Sequence, residues 1–169
     1  MLNNDILRRI RYVFDLNDSS MISTFIAGGD EVTREQISAW LKKEEDPAFV
    51  KCSDRQLAIF LNGLIIKKRG KKDGPQPEPE SRLTNNIIFN KLKIALNLKA
   101  EEITEMMDSA NFHISKHELS ALFRKQGHKH YRDCQDQILR NFLKGLQLKY
   151  RPGSDPEDEA EPLAAGDAE

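Results

Sequence analysis

Cysteine, aromatic residues and long apolar runs are all scarce in this chain. Two cysteines in 169 residues, Cys52 and Cys134, do not make a disulfide framework. The longest apolar stretches, such as Leu57–Leu61 and Leu64–Ile66, fall far short of the ~20 residues that cross a bilayer. The N-terminus, Met-Leu-Asn-Asn-Asp, has an acid where a signal peptide has bases, and no apolar block follows it. No membrane partner is expected, and a cytoplasmic location is. No glycine-rich phosphate loop occurs, since Gly28-Gly29 reads as a helix stop. Sustained period-two alternation is missing too, which speaks against a sheet. No catalytic motif stands out, so the expectation is a protein without enzymatic activity or cofactor.

What the chain does have is charge, unevenly placed. It carries 26 Lys and Arg against 27 Asp and Glu. Seven of those acids (Asp155, Glu157, Asp158, Glu159, Glu161, Asp167, Glu169) fall in residues 152–169, which hold no base. Without them, residues 1–151 keep 26 bases and 20 acids, a net of +6. With Pro152, Gly153, Pro156 and Pro162, the stretch 152–169 reads as a disordered acidic tail. A second break, 70–85, contains Gly74, Pro75, Pro77 and Pro79 and reads as a stiff Pro-rich linker.

The segments on either side of that linker are one segment written twice. Residues 4–69 align with 86–151 at a constant offset of 82, without a gap, and 15 of the 66 pairs are identical. About four would arise by chance at ordinary compositions. The identities include Asn4/Asn86, Cys52/Cys134, Asp54/Asp136, Phe60/Phe142 and Gly63/Gly145, and many other pairs keep their chemistry, as in Ile10/Leu92 and Arg9/Lys91. A duplication of this kind means two structural copies.

Each element can therefore be read twice. A first helix after Asn4 has apolar residues at Ile6, Ile10, Val13 and Phe14, matched by Ile88, Leu92, Ala95 and Leu96, which is one helical face. A shorter helix starts near Ser19. The third opens with a capping box, Thr33-x-x-Gln36 or Ser115-x-x-Glu118. The last starts near Asp54 or Asp136, taken as N-caps, and buries Leu57, Phe60, Leu61 and Leu64 or their counterparts. Gly63 and Gly145 lie inside it, where glycine costs roughly 0.5–1 kcal/mol; close approach of another helix explains them better than a ligand does. The expected fold is all-α, with repeat one at 1–69 and repeat two at 86–151, each a four-helix module of helix-turn-helix-like layout. Their shared apolar faces suggest a pseudo-twofold pair.

Candidate chemistry is thin. His128, His130 and Cys134 cluster before the last helix, with His113 and His117 upstream. Zinc uses such ligands, but Cys52, the counterpart of Cys134, has no histidine near it. A small buried apolar residue explains both cysteines better. Glu44, Glu45 and Asp46 become Gln126, Gly127 and His128 in the second copy, so they read as a solvated loop. Better supported is nucleic-acid contact through the basic second repeat, with Arg124, Lys125, Lys129, Arg132, Arg140 and Lys144 as candidate phosphate contacts. Val32, Ile37 and Trp40 (Ile114, Leu119 and Leu122) have the apolar spacing of a helix-turn-helix, although the link before them is long. The alternative is a protein-interaction or regulatory adaptor that only shares the helical layout.

Several strings are distinctive. Asn4-Asp5-Ile6-Leu7-Arg8, Ala39-Trp40-Leu41-Lys42-Lys43-Glu44 and Phe60-Leu61-Asn62-Gly63-Leu64-Ile65 resemble the bacterial YehS family. So do Leu119-Ser120-Ala121-Leu122-Phe123-Arg124-Lys125 and Arg140-Asn141-Phe142-Leu143-Lys144-Gly145-Leu146. The resemblance covers about residues 1–151. It implies a bacterial, cytoplasmic protein with the same duplicated arrangement, and it brings no activity, substrate or catalytic residue with it.

Overall fold

The computed structural model describes residues 1–155; the sequence-based expectation of a disordered tail falls almost wholly outside them. Eight helices and no strand occur among the described residues. The chain divides into two compact units, one spanning Met1–Leu83 and the other beginning at Thr84. The first holds α1 (Asn3–Val13), α2 (Asp18–Ala27), α3 (Arg34–Leu41) and α4 (Asp54–Arg69). The second repeats them as α5 (Asn85–Leu96), α6 (Ala100–Ser109), α7 (Lys116–Leu122) and α8 (Asp136–Tyr150).

The repeat extends to backbone detail. Thr33 with Gln36 and Ser115 with Glu118 form complete capping boxes at α3 and α7. Two left-handed positions are matched: Asp15 and Asn97 have φ of 50° and 52°, while Gly29 and Asn111 have 108° and 62°. Glycine and asparagine tolerate that region best, which is why the second pair can differ without altering the turn.

Four helix starts differ from the sequence reading. Asp54 and Asp136 sit one residue inside α4 and α8 rather than capping them. Their carboxylates instead accept from Asn3 Nδ2 and Asn85 Nδ2, each at 2.7 Å. Ser53 caps α4, in a box with Gln56. The first helix begins before Asn4, not after it, and Thr84, placed by sequence in the linker, caps α5.

Asn4 is thereby the second residue of α1 and fully buried. Its Nδ2 donates to the carbonyls of Trp40 (2.8 Å) and Val50 (2.9 Å), and its Oδ1 accepts from the Cys52 N–H (3.0 Å). Asn86 does the same with Leu122, Arg132 and Cys134, at 3.0, 2.8 and 2.9 Å. One side chain thus satisfies a carbonyl in the last turn of the third helix and two backbone groups of the irregular segment that follows it, groups that burial would otherwise leave costly. The clasp fixes where that segment lies against the first helix.

In each unit the second and fourth helices meet closely. A Cβ on Gly63 would lie 1.8 Å from the Thr24 carbonyl oxygen, and one on Gly145 would lie 2.6 Å from that of Met106. The glycines are there because another backbone occupies the space. The two cores fill in different ways. In the first, Phe25 packs between Trp40 and Phe60, with ring centroids 5.4 and 5.2 Å away. In the second, Phe89 takes the centre, stacked on Phe142 at 4.0 Å and edge-on to Phe123 at 5.1 Å. Phe25 and Trp40 correspond to Met107 and Leu122, while Leu7 and Leu41 correspond to Phe89 and Phe123. Bulk has moved between facing positions, the kind of compensated exchange that cores tolerate.

Candidate functional site

A basic concavity lies wholly within the second unit. It is a groove of about 440 Å³ lined by Lys93, Ala100, Lys116, Leu119, Ser120, Phe123, Arg124, Lys125 and His128. Each lining residue has a structural reason for its place. Leu119 is held in the core, and Phe123, the C-cap of α7, rests on Phe89, so together they make an apolar floor. Lys93 comes from the last turn of α5, a favourable site for a cation, and its ammonium lies 5.2 Å from the Phe123 ring centroid. Lys116 opens α7, while Arg124 and Lys125 follow its end. Ala100 is the first residue of α6.

No acid lines this groove. Glu101 stands beside it, paired with Lys116 at 3.2 Å, but both side chains are more than 60% exposed, and such a pair holds a lysine only weakly. The Glu101 carboxyl is held below its ordinary value, first by a backbone hydrogen bond and then by Lys116. Glu118, on the same helix, spends its side chain on the capping box and is likewise held low, chiefly by its bond to the Ser115 backbone.

The matched positions in the first unit are less positive. Lys93, Lys116, Arg124 and Lys125 correspond to Arg11, Arg34, Lys42 and Lys43, so the bases are kept. Ala100 and His128, however, correspond to Asp18 and Asp46. Asp18 takes Arg34 as an ion-pair partner at 3.6 Å. Four bases without a lining acid therefore stand where the first unit has four bases and two acids. The exchanged loop residues make the same local contact: Asp46 Oδ1 accepts from the Ala48 N–H at 2.8 Å, and His128 Nδ1 accepts from the His130 N–H at 3.0 Å.

Of the residues expected from sequence to touch nucleic acid, Arg124 and Lys125 line the groove. Lys129 and Arg132 are exposed on the segment that follows, and the Arg132 charge contributes to the lowered carboxyl of Glu118. Arg140 and Lys144 lie on α8 and do not line the groove. Lys93 and Lys116 do, and the sequence reading passed over both. The signal was in the alignment, at the two pairs where an acid gives way to a neutral residue.

The other candidates resolve into structure. Cys52 and Cys134 are buried free thiols, each pushed up to about 12, mainly by burial. Neither carries a thiolate at neutral pH. His128 and His130 have ring centroids 5.6 Å apart. Among the described residues no group of three or more His, Cys, Asp or Glu side chains converges as a metal site would require. A smaller cavity of about 290 Å³ in the first unit is lined by Gly28, Asp30, Arg55 and the Gln76–Pro79 segment. Among the described residues no helix is long and apolar enough to cross a membrane.

Comparison with known proteins agrees with the duplication. A family model described as a protein of unknown function, DUF1456, matches twice, at residues 3–70 and 85–152. The chain is 45% identical over 150 residues to a protein of Escherichia coli strain K12 described as uncharacterized protein YehS, covering 88% of this chain and 96% of that one. No solved structure matches.

Proposed function

The chain belongs to this family of proteins of unknown function, DUF1456, and we propose that it is a non-enzymatic nucleic-acid-binding protein that contacts phosphates through the groove of the second repeat. A cytoplasmic location goes with that reading. One observation carries it: four cations surround an apolar-floored concavity that no acid lines, while the same site in the first repeat contains two aspartates. Clustered cations neutralise phosphates and release their counterions, which supplies most non-specific affinity for nucleic acid. The buried thiols take no part in such binding, and their position outside the groove needs no chemistry to explain it.

The duplication supplies its own test. Ala100→Asp with His128→Asp gives the second groove the acids of the first. Both changes suit the backbone, because an acid at the first position of a helix is favourable and Asp46 already makes the turn that His128 makes. Fluorescence anisotropy with labelled oligonucleotides is expected to show affinity falling roughly tenfold at low salt, about 1 kcal/mol or more for two nearby acids. The thermal midpoint should stay unchanged. Unchanged affinity in the double variant, or no binding by the parent chain at low salt, would sink the reading.

A further inference from the structure

Resting on that reading, we infer that the second-repeat groove takes single-stranded nucleic acid, with one unpaired base on its apolar floor and the neighbouring phosphates on its basic rim. The floor is the first reason. Phe123, half-buried above the core residue Leu119, gives the groove an apolar bottom, and a site meant only for phosphate has no use for one. Aromatic side chains set among bases are how single strands are held without sequence preference, because every base has a face to stack.

The distribution of charge is the second reason. Lys116 opens α7, and Arg124 and Lys125 follow its end, with Leu119 and Ser120 between them. Helical rise makes the seven residues of α7 about 10 Å long, so the two groups flank it from opposite ends. Cations stand at both ends of the apolar floor, as a nucleotide requires when its base enters and its backbone continues on either side. Lys93 lies against the Phe123 ring, and its long side chain can leave the ring for a phosphate when a base arrives.

The third reason is the shape of α7. A helix that reads duplex DNA presents a projecting face to the major groove. The exposed residues of α7 include Glu118, committed to the cap, and its cations lead into a concavity of about 440 Å³. That volume lies within the ~300–1,000 Å³ range of small-ligand sites, suited to one extruded nucleotide. In a duplex the base faces are covered by their neighbours, so the floor would stay empty and only the rim would bind.

The test uses the full chain and four labelled probes of equal length at low salt. They are a single strand, the same strand with abasic sites, the duplex, and poly-glutamate as an acidic peptide. The single strand is expected to bind about tenfold more tightly than the abasic strand or the duplex, which is the scale of one lost stacking contact. Phe123→Leu, which installs the residue found at Leu41, should erase that margin and leave the salt dependence intact. The abasic probe needs no variant and reads the same contact should the substitution impair folding. Equal binding of abasic and intact strands, or duplex binding as tight as single-strand binding, overturns the base-on-floor proposal while the phosphate reading stands. Poly-glutamate binding as tightly as the single strand overturns it in favour of an acidic peptide. If neither the single strand nor the duplex binds, the reading under Proposed function fails, and this proposal with it.

Discussion

Gly63→Ala is expected to destabilise the protein by about 3 kcal/mol or more, read as a lower midpoint in chemical or thermal unfolding. The added methyl would fall 1.8 Å from the Thr24 carbonyl oxygen. That atom is backbone, so no rotamer change relieves the clash; α2 and α4 must separate. Alanine's better helix propensity returns no more than about 1 kcal/mol. Gly145→Ala places its methyl 2.6 Å from the Met106 oxygen, so it should destabilise in the same direction by less. A more stable Gly63→Ala variant would show that this helix pair has slack the structure does not.

Asn4→Ala is expected to cost roughly 3–5 kcal/mol, because two buried backbone groups and one part-buried carbonyl lose their partner together. The carbonyls of Trp40 and Val50 and the N–H of Cys52 would be left facing a cavity. Asn4→Asp should not rescue it. A carboxylate can still accept from Cys52, but it sets negative charge against two carbonyl oxygens. Denaturant titration of the two variants separates this account from a simple volume effect: asparagine and aspartate are nearly isosteric, so equal stability of parent and Asn4→Asp would contradict the clasp. The same pair at Asn86 tests the second copy.

Much of this fold was legible because it is written twice. Offset identity fixed the two units, and local rules found the capping boxes at Thr33 and Ser115, since a capping box is made within four residues. The glycines at 63 and 145 were rightly read as close approach, because a costly residue kept in both copies needs a packing reason. Asn4 and Asn86 were visible as an identity but not as a clasp. Their partners lie 36 to 48 residues away in sequence, beyond any local pattern. Asp54 was misread as a cap although the true one, Ser53 with Gln56, is itself a local capping box one residue earlier. Only the role of Asp54, holding Asn3 from another helix, was out of local reach.

The groove was half legible. Arg124 and Lys125 are adjacent in sequence and stood out as a cluster, whereas Lys93 reaches the same place from α5 and Lys116 from the opposite end of α7. Charge clusters read along a chain favour neighbours in sequence; a site collects neighbours in space. Comparing the repeats recovers what the linear count misses, because Asp18/Ala100 and Asp46/His128 mark where the copies part in charge.

The central claim is that the second repeat, and not the first, carries the phosphate-binding groove. Amide chemical-shift mapping of the labelled full chain, titrated at low salt with a single-stranded oligonucleotide, tests it most directly. The account predicts the largest shifts at Lys93, Lys116, Ser120, Arg124 and Lys125, fading as salt is raised, with the matched Arg11, Arg34, Ser38, Lys42 and Lys43 little moved. Shifts of equal size in both repeats, or shifts confined to Arg140 and Lys144 on α8, would contradict it.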